Sequence, residues 1–306
     1  MRQRNFQAPS VNSVGDARPT AEQTFNKKSF GSNEREVAMR KWSTQEILEA
    51  LASIDDETVP DDFVDVRTGE YRLIRYPQRF LSPTLPAAQI VWSNTSRPLS
   101  IVFDEVASEI ESWGLDVIHW WVSSVTRPLD TEAYLRARGG VLSDSYQILA
   151  RELVDAAVES SPREEVSVEL VRDQYSLRDA IAVETEGWGR SLPDEQSIGV
   201  RLSETLHNLE TSNEFQFVAY LGGQPVSTGC CKITGEVGRL YGAVTLTGFR
   251  SRGCYQAVLS SRLRQARDFG ATIAVTRGRP LTSGRILLKA GFTVHNLENC
   301  YRLSVS

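Results

Sequence analysis

The second half of the chain has the clearest alternation of apolar and polar positions. Two runs of period two, joined by Gly222 and Gly223, predict a β-hairpin. From Gly253 the apolar spacing changes to the helical period, and Gly270 supplies a residue suited to ending that helix. In chain order the pattern predicts strands at 215–221, 225–233, 239–246, 272–276, 292–294 and 300–305, and helices at 253–269 and 283–290.

The first half repeats the end of this order. A strand at 116–122, a helix at 131–138 and a strand at 146–153 follow an amphipathic segment at 102–113. We therefore expect two diverged copies of one α/β unit. Residues 95–98 contain no glycine, so the first copy lacks the glycine-containing loop that precedes the long helix of the second.

The ends of the two copies are marked by changes in composition. Residues 1–44 are polar and charged, which predicts a flexible tail. Ser43 is suited to capping a helix, and a break at 159–165 predicts a linker. The predicted domains are therefore 45–158 and 166–306. The apolar face of the first helix is predicted at Ile47, Leu48, Leu51 and Ile54.

Charge is unevenly distributed along the chain. The 34 basic and 39 acidic residues give a net charge of −5, which argues against a general nucleic-acid binder. Residues 241–290 nevertheless carry nine basic residues and one acid, a charge of +8 that leaves −13 on the rest. This distribution favours a compact polyanionic ligand such as a phosphorylated cofactor, although a solvated helix face accounts for the charge equally well.

Cysteine and apolar patterning exclude several classes of protein. The four cysteines and three histidines have neither metal-ligand nor disulfide-framework spacing, so we expect reduced thiols, no metal and a cytoplasmic location. No run of 18 apolar residues occurs, and no apolar segment follows the first ten residues. We expect neither a membrane span nor a secretory signal. The oligomeric state stays open.

The segment Arg250-Ser251-Arg252-Gly253-Cys254-Tyr255 lies between a predicted strand and a predicted helix. A helix start leaves several backbone N–H groups unpaired, and the helix dipole adds positive potential there. Gly253 permits close approach of a ligand to the backbone, and Arg250 and Arg252 add charge. The segment is a candidate phosphate-binding loop, although an ordinary helix start is the competing interpretation.

Residues 215–301 resemble the GNAT superfamily of N-acetyltransferases. That family has the loop pattern Arg/Gln-x-x-Gly-x-Gly/Ala at this junction, and Arg250 and Gly253 match it, whereas Tyr255 replaces the last small residue. Residues 289–292, Lys-Ala-Gly-Phe, resemble the family's terminal signature. The first half resembles a degenerate copy, as in tandem GNAT proteins. The resemblance implies an α/β fold of two GNAT-like mixed β-sheet domains with flanking helices, after a flexible N-terminal tail.

The resemblance also implies acetyl-CoA, or coenzyme A with another short acyl group, as donor. Its pyrophosphate would bind at the loop, and its pantetheine arm would lie between two splayed strands. The implied contacts are the backbone of Val244 and Leu246, then Arg250, Ser251, Arg252, Gly253, Cys254, Tyr255, Gln256 and Ser283. The side chains of Val244 and Leu246 are expected to lie in the core.

The catalytic acid and base are less well defined by the sequence. Many relatives have a tyrosine four residues before the glycine of Gly-Phe, where this chain has Leu287. Tyr255 is the acid we name, with water as an alternative; the further candidate acids are Tyr241 and Ser283, and the candidate bases are Glu184, Glu186, Asp194 and Glu195. For most of these residues a structural or surface role is also expected.

Other residues have both a functional and a structural interpretation. Trp188 is a candidate substrate contact, and Trp120, Trp121 and His119 form either an aromatic substrate wall or ordinary core. The Cys230–Cys231 pair lacks a neighbouring base pattern and is not expected to act as a nucleophile. Cys254 lies at a helix start, where a thiol pKa is lowered, but burial is the expected outcome.

The sequence therefore predicts an acyl-CoA-dependent N-acyltransferase with one active half. Direct attack by a primary amine of a small molecule or peptide, in a ternary complex, is the predicted reaction. The acidic remainder of the chain favours a cationic acceptor, and no nucleic-acid or membrane partner is expected. Transfer to a hydroxyl, and coenzyme A binding without turnover, are the alternatives.

Overall fold

The computed structural model of the chain describes residues 41–55, 62–78, 81, 86–153, 165–211 and 213–305. Most of the predicted tail at 1–44 and of the predicted linker at 159–165 lies outside these residues. The described part forms one mixed α/β unit beginning at Trp42. None of its helices is long and apolar enough to cross a bilayer.

Seven α-helices and eleven β-strands occur in the described ranges. The helices are α1 (Thr44–Asp55), α2 (Leu99–Ser112), α3 (Thr131–Ala137), α4 (Gln174–Trp188), α5 (Glu195–Thr211), α6 (Cys254–Asp268) and α7 (Ser283–Lys289). The strands are β1 (Val64–Arg67), β2 (Tyr71–Arg75), β3 (Ala88–Ser93), β4 (Val117–Val122), β5 (Val141–Glu152), β6 (Val166–Leu170), β7 (Glu214–Leu221), β8 (Gln224–Thr234), β9 (Val237–Thr245), β10 (Ile273–Gly278) and β11 (Thr293–Ser304).

The two halves share one sheet, and the last strand of each half lies between two strands of the other half. The strand order is β1-β2-β3-β4-β11-β5-β10-β9-β8-β7-β6. Strand β11 of the second half pairs with β4 of the first, and β5 of the first half pairs with β10 of the second. The exchanged strands β5 and β11 pair antiparallel with each other. The repeat is confirmed, because β3 and β4 pair parallel around α2 as β9 and β10 do around α6.

Helix α6 packs on the sheet face of the second half through its apolar stripe. Ala257, Val258 and Leu259 are buried, in contact with residues of β7, β8 and β9. The helix is bounded by two left-handed glycines, Gly253 with φ +89° and Gly270 with φ +94°. Such φ values are accessible to glycine at little cost, so these residues fix where the helix begins and ends.

Helix α1 begins at the predicted cap. The Glu46 N–H donates to Ser43 Oγ at 3.2 Å, and the Ser43 N–H donates to Glu46 Oε2 at 2.8 Å, which is a capping box. Of its predicted apolar face, Leu48 is half-buried and Ile47, Leu51 and Ile54 are buried. These side chains pack against β5, β9 and β10, so α1 covers strands of both halves.

Several elements differ from the prediction, which included no strand at the positions of β1, β2, β3 and β6. The final strands expected at 292–294 and 300–305 form the single strand β11, because its pairing with β5 continues past irregularities near Asn296 and Cys300. Helix α5, which the sequence analysis did not identify, begins after Asp194, whose carboxylate accepts from the Ser197 N–H at 2.7 Å.

Of the two adjacent tryptophans on β4, Trp120 is buried and Trp121 is half-buried. Trp120 is fully buried, stacks on Phe103 and donates from Nε1 to Ser93 Oγ at 3.0 Å. Trp121, on the opposite face, stacks on Tyr146 with a centroid distance of 5.2 Å. The core interpretation is therefore confirmed for Trp120.

Candidate functional site

The loop between β9 and α6 exposes a set of backbone donors. Ser251 has φ +62° and Gly253 has φ +89°, so two left-handed residues precede the helix. The first carbonyl used by the helix is that of Gly253, which accepts from the Ala257 N–H at 3.0 Å. No side chain caps the helix, and no described residue accepts from the N–H of Cys254, Tyr255 or Gln256. This start therefore leaves three donors for an anion.

Two arginines extend from the same loop. Arg250 donates from Nε to the Thr245 carbonyl at 3.3 Å, and the Arg252 guanidinium lies over the Phe249 ring at 5.6 Å. Both side chains are exposed, and within the described ranges neither forms an ion pair. Their charge adds to that of the helix dipole. The loop is therefore a positively charged cradle of the kind the sequence predicts.

Strands β9 and β10 separate beside this loop. Their parallel pairing runs from Val237 opposite Ile273 to Leu240 opposite Thr276, where it ends. At this last paired position, Thr276 Oγ1 donates to the Leu240 carbonyl at 2.8 Å. Beyond it, residues 241–245 of β9 have no partner on the β10 side in the described sheet. A gap between two strands therefore leads from the loop into the sheet.

Gly242 produces a bulge at the start of this unpaired stretch. It has φ +59°, and the β8–β9 register shifts next to it, between Thr228 and Cys230. A bulge turns the residues that follow it by one position. The direction of the backbone groups along 243–246 therefore depends on Gly242.

The backbone groups of Val244 and Leu246, which are expected to contact the cofactor, have partners on β8. The Leu246 N–H donates to the Val226 carbonyl at 2.9 Å, and the Val244 carbonyl accepts from Ser227 Oγ at 3.0 Å. Both residues therefore turn these backbone groups toward β8. Their side chains are buried together with Val183, as expected.

Trp188 lies against the bulge from the other face of the sheet. A Cβ built on Gly242 would lie 4.0 Å from the Trp188 ring. Val244 contacts Gly187, the residue before Trp188 in α4. The Arg190 guanidinium stacks on the same ring at 4.5 Å. The end of α4 therefore borders the stretch of β9 that faces the gap.

The carboxylates named as candidate bases have structural partners. Glu184 is buried and accepts from both terminal nitrogens of Arg201, at 2.7 and 2.8 Å, and from Gln216. Asp194 caps α5, and Glu195 forms an ion pair with Arg178. Glu186, also named, is exposed. The hydrogen bond from Arg178 lowers the pKa of Glu195, so Glu195 is a poor base here.

The structure pairs Tyr241 with a carboxylate that sequence reasoning missed. The Tyr241 hydroxyl donates to Glu214 Oε1 across 27 positions of sequence. Burial raises the pKa of Tyr241 well above its ordinary value, and the neighbouring Glu214 carboxylate acts in the same direction. Tyr241 is therefore protonated at neutral pH. Only the long-range register of β7, β8 and β9 brings the two residues together.

The remaining candidate acids are Tyr255, in the first turn of α6, and Ser283, at the start of α7. Tyr255 is half-buried, and its ring packs against the core cluster that contains Leu287. Leu287 is 1% exposed, so this position, where many relatives have tyrosine, belongs to the core. Ser283 Oγ accepts from the Arg279 N–H at 2.9 Å in the turn before α7.

The cysteines are not suited to nucleophilic chemistry. All four are free and buried. Burial raises the pKa of the Cys230, Cys231 and Cys300 thiols to about 12. Burial also raises the pKa of Cys254, so the lowered value that a helix start would give is not found. Thiols in this state are inert.

The corresponding junction in the first half is closed by its own side chains. Helix α2 follows Pro98, which has no N–H to donate. The Arg97 N–H donates to Thr95 Oγ1 at 3.0 Å, and the Arg97 guanidinium binds the carboxylates of Glu70 and Glu105. Two carboxylates beside a helix start repel a phosphate. Within the described part of the first half, the start of α2 therefore forms no equivalent anion cradle.

Comparison with solved structures identifies the fold. A GCN5-related N-acetyltransferase from Kribbella flavida matches 85% of this chain and 94% of its own at 15% identity, with a TM-score of 0.57. A GCN5-related N-acetyltransferase from Sphaerobacter thermophilus matches 84% and 85% at 13% identity, also with a TM-score of 0.57. A tandem GNAT protein from the clavulanic acid biosynthesis pathway matches 81% and 85% at 14% identity, with a TM-score of 0.55.

These similarities are structural and not visible in the sequence as a whole. The chain matches no established family profile and no curated protein. The three solved structures nevertheless span most of both chains in each pair. The chain has the tandem GNAT fold.

Proposed function

We propose that this chain, which has the tandem GNAT fold, transfers a short acyl group from coenzyme A to a primary amine. The observation that carries the proposal is the uncapped start of α6 at the end of a separated strand pair. A diphosphate needs several convergent N–H donors and positive charge, and this loop supplies both. The fold supports acyl transfer in general, and the loop supports coenzyme A as the carrier.

The donor would bind along the loop and the gap. Its pyrophosphate would accept from the N–H groups of residues 252–256, with Arg250 and Arg252 beside it. Because the backbone groups of Val244 and Leu246 face β8, the alternation of a strand turns those of Ala243 and Thr245 toward the gap. Ala243 and Thr245, in place of Val244 and Leu246, would therefore hold the pantetheine arm.

Acyl-CoA supplies an activated thioester, and the protein supplies position and polarity. In the transfer a C–N bond forms and the C–S bond breaks, while the amine loses one proton and the departing thiolate gains one. The Ala243 N–H would polarise the thioester carbonyl as its oxygen gains charge. We propose Tyr255 or water as the proton donor, and Tyr241 with its partner Glu214 is a half-buried acid–carboxylate pair that includes a residue of β9.

The acceptor would approach from the side of α4. Trp188 and Arg190 lie against the bulge of β9 there, on the face opposite α6. An aromatic ring beside the unpaired strand provides an apolar wall for the chain that carries the amine. We propose a small molecule or peptide amine as acceptor, and a location in the cytoplasm.

The test is release of free thiol from acetyl-CoA in the presence of a panel of primary amines and of their hydroxyl analogues. Amine-dependent release that is lost in Gly253→Glu supports the proposal. Release with hydroxyl analogues alone makes the chain an O-acyltransferase. Coenzyme A binding without thiol release from any acceptor makes it a binding protein, an alternative favoured by Leu287 and Tyr255.

A further inference from the structure

A buried arginine lies on the inner face of α6 and has no counterion among the described residues. Arg262 is 1% exposed, and its Nη1 reaches the Cys230 carbonyl only at 3.5 Å. Its Nε and Nη2 are buried and have no hydrogen-bond partner among the described residues. An arginine is charged at every physiological pH, so this is a buried and incompletely satisfied cation.

The fold makes room for this guanidinium. A Cβ built on Gly229 of β8 would lie 3.1 Å from Arg262 Cζ and 3.2 Å from the Ala243 Cβ. The Tyr255 ring lies 5.8 Å from the same carbon. Glycine at position 229 therefore permits the guanidinium to lie against β8 and β9, on the inner face of α6.

The carboxylates of Glu184 and Glu214 already have hydrogen-bond partners other than Arg262. Glu184 binds Arg201 and Gln216, and Glu214 accepts from Tyr241. Burying an arginine without an anion is strongly unfavourable, and buried charges in proteins are normally paired. The missing anion is therefore expected to arrive with a ligand.

The position of Arg262 indicates which part of the ligand carries that anion. Ala243, its neighbour across Gly229, belongs to the stretch 241–245 that β10 leaves unpaired. The proposed donor lies along this stretch with its acyl end toward the strand junction. The guanidinium thus lies next to Ala243, the residue whose N–H would polarise the thioester carbonyl at the acyl end of the donor.

We propose that Arg262 binds the distal carboxylate of a dicarboxylic acyl group, so that the preferred donor is a carboxyacyl-CoA such as succinyl-CoA. This inference rests on the proposed function. The same C–N bond forms and the same C–S bond breaks as with an acetyl group, and the distal carboxylate remains unchanged. A planar guanidinium with two free donors matches a carboxylate in a bidentate arrangement.

The experiment compares the affinities of succinyl-CoA and butyryl-CoA by calorimetry, because these donors have equal chain length and differ in the terminal carboxylate. Hydrogen bonds to charged groups predict a preference for succinyl-CoA of about 10-fold to 100-fold. Arg262→Met is expected to abolish the preference. Arg264→Met, an exposed change on the same helix, is the matched control and is expected to keep it.

A second variant keeps the test decisive if Arg262→Met does not fold. Gly229→Ala places a methyl group 3.1 Å from Arg262 Cζ, which displaces the guanidinium and reduces the preference. Equal affinities in the wild type, or a preference that survives both variants, overturn the inference. Failure of free coenzyme A to bind refutes the proposed function itself, whereas binding of coenzyme A without the preference refutes only the role of Arg262.

Discussion

Substitution of Gly253 separates ligand binding from fold stability. Gly253 and Gly270 have nearly the same left-handed conformation, at φ +89° and φ +94°, at opposite ends of α6. A residue with a side chain in this conformation costs about 1–2 kcal/mol. Gly253→Glu and Gly270→Glu therefore carry the same backbone strain, and their comparison isolates the role of the helix start.

The helix dipole makes the two variants differ in stability. A carboxylate at the N-terminus of a helix is favourable and one at the C-terminus unfavourable, by about 0.3–1 kcal/mol each. Gly253→Glu is therefore expected to be the more stable of the two. Urea unfolding of both variants measures this difference.

Ligand affinity is expected to change in the opposite order. In Gly253→Glu a carboxylate occupies the place of the diphosphate, and losing one or two charged hydrogen bonds of about 1.5–3 kcal/mol each weakens coenzyme A binding by at least about 10-fold. Gly270→Glu is expected to bind as the wild type does. Calorimetry with coenzyme A provides the measurement. A folded Gly253→Glu protein with unchanged affinity would refute the assignment of this loop.

Three further predictions concern chemistry and stability. Tyr255→Phe is expected to lower kcat less than about 10-fold, since a thiolate with a pKa of about 8.5 leaves readily into water; a loss of about 100-fold or more at unchanged donor affinity would make Tyr255 the acid. Glu184→Gln removes the partner of Arg201 and is expected to lower the unfolding free energy by about 1–3 kcal/mol, whereas lost activity at unchanged stability would indicate a base. Burial lowers the pKa of His119 to about 4 from an ordinary 6.5, so as the pH drops from 6.5 toward 4 the unfolded chain binds the proton first and the free energy of unfolding falls. His119→Gln should reduce the difference in unfolding free energy between pH 7 and pH 5. An unchanged difference would exclude His119 as its source.

Local elements of the fold were predictable because their signals are short in sequence. The hairpin of β7 and β8 follows from period two around Gly222 and Gly223, and α6 from its 3.6-residue spacing between two glycines. The exchange of β5 and β11 was not predictable. Their apolar patterns fit a place in either half, and pairing across more than 120 residues has no local signature.

In the candidate site, too, features with a short sequence signal were predictable and those that depend on strand pairing were not. The anion loop was identified because glycine, arginine and a helix start are adjacent in sequence. The direction of the Val244 and Leu246 backbone groups was not predictable, because it depends on the bulge at Gly242, which reverses the direction of the backbone groups that follow it. The pair of Tyr241 and Glu214 depends on strand register and leaves no motif.

A calorimetric titration of the intact chain with coenzyme A tests the central claim most directly. The open start of α6 and the closed start of α2, where Arg97 is held by Glu70 and Glu105, predict one bound coenzyme A per chain. A stoichiometry of two would contradict the prediction that the first half binds no coenzyme A. The absence of any binding would contradict the coenzyme A site itself.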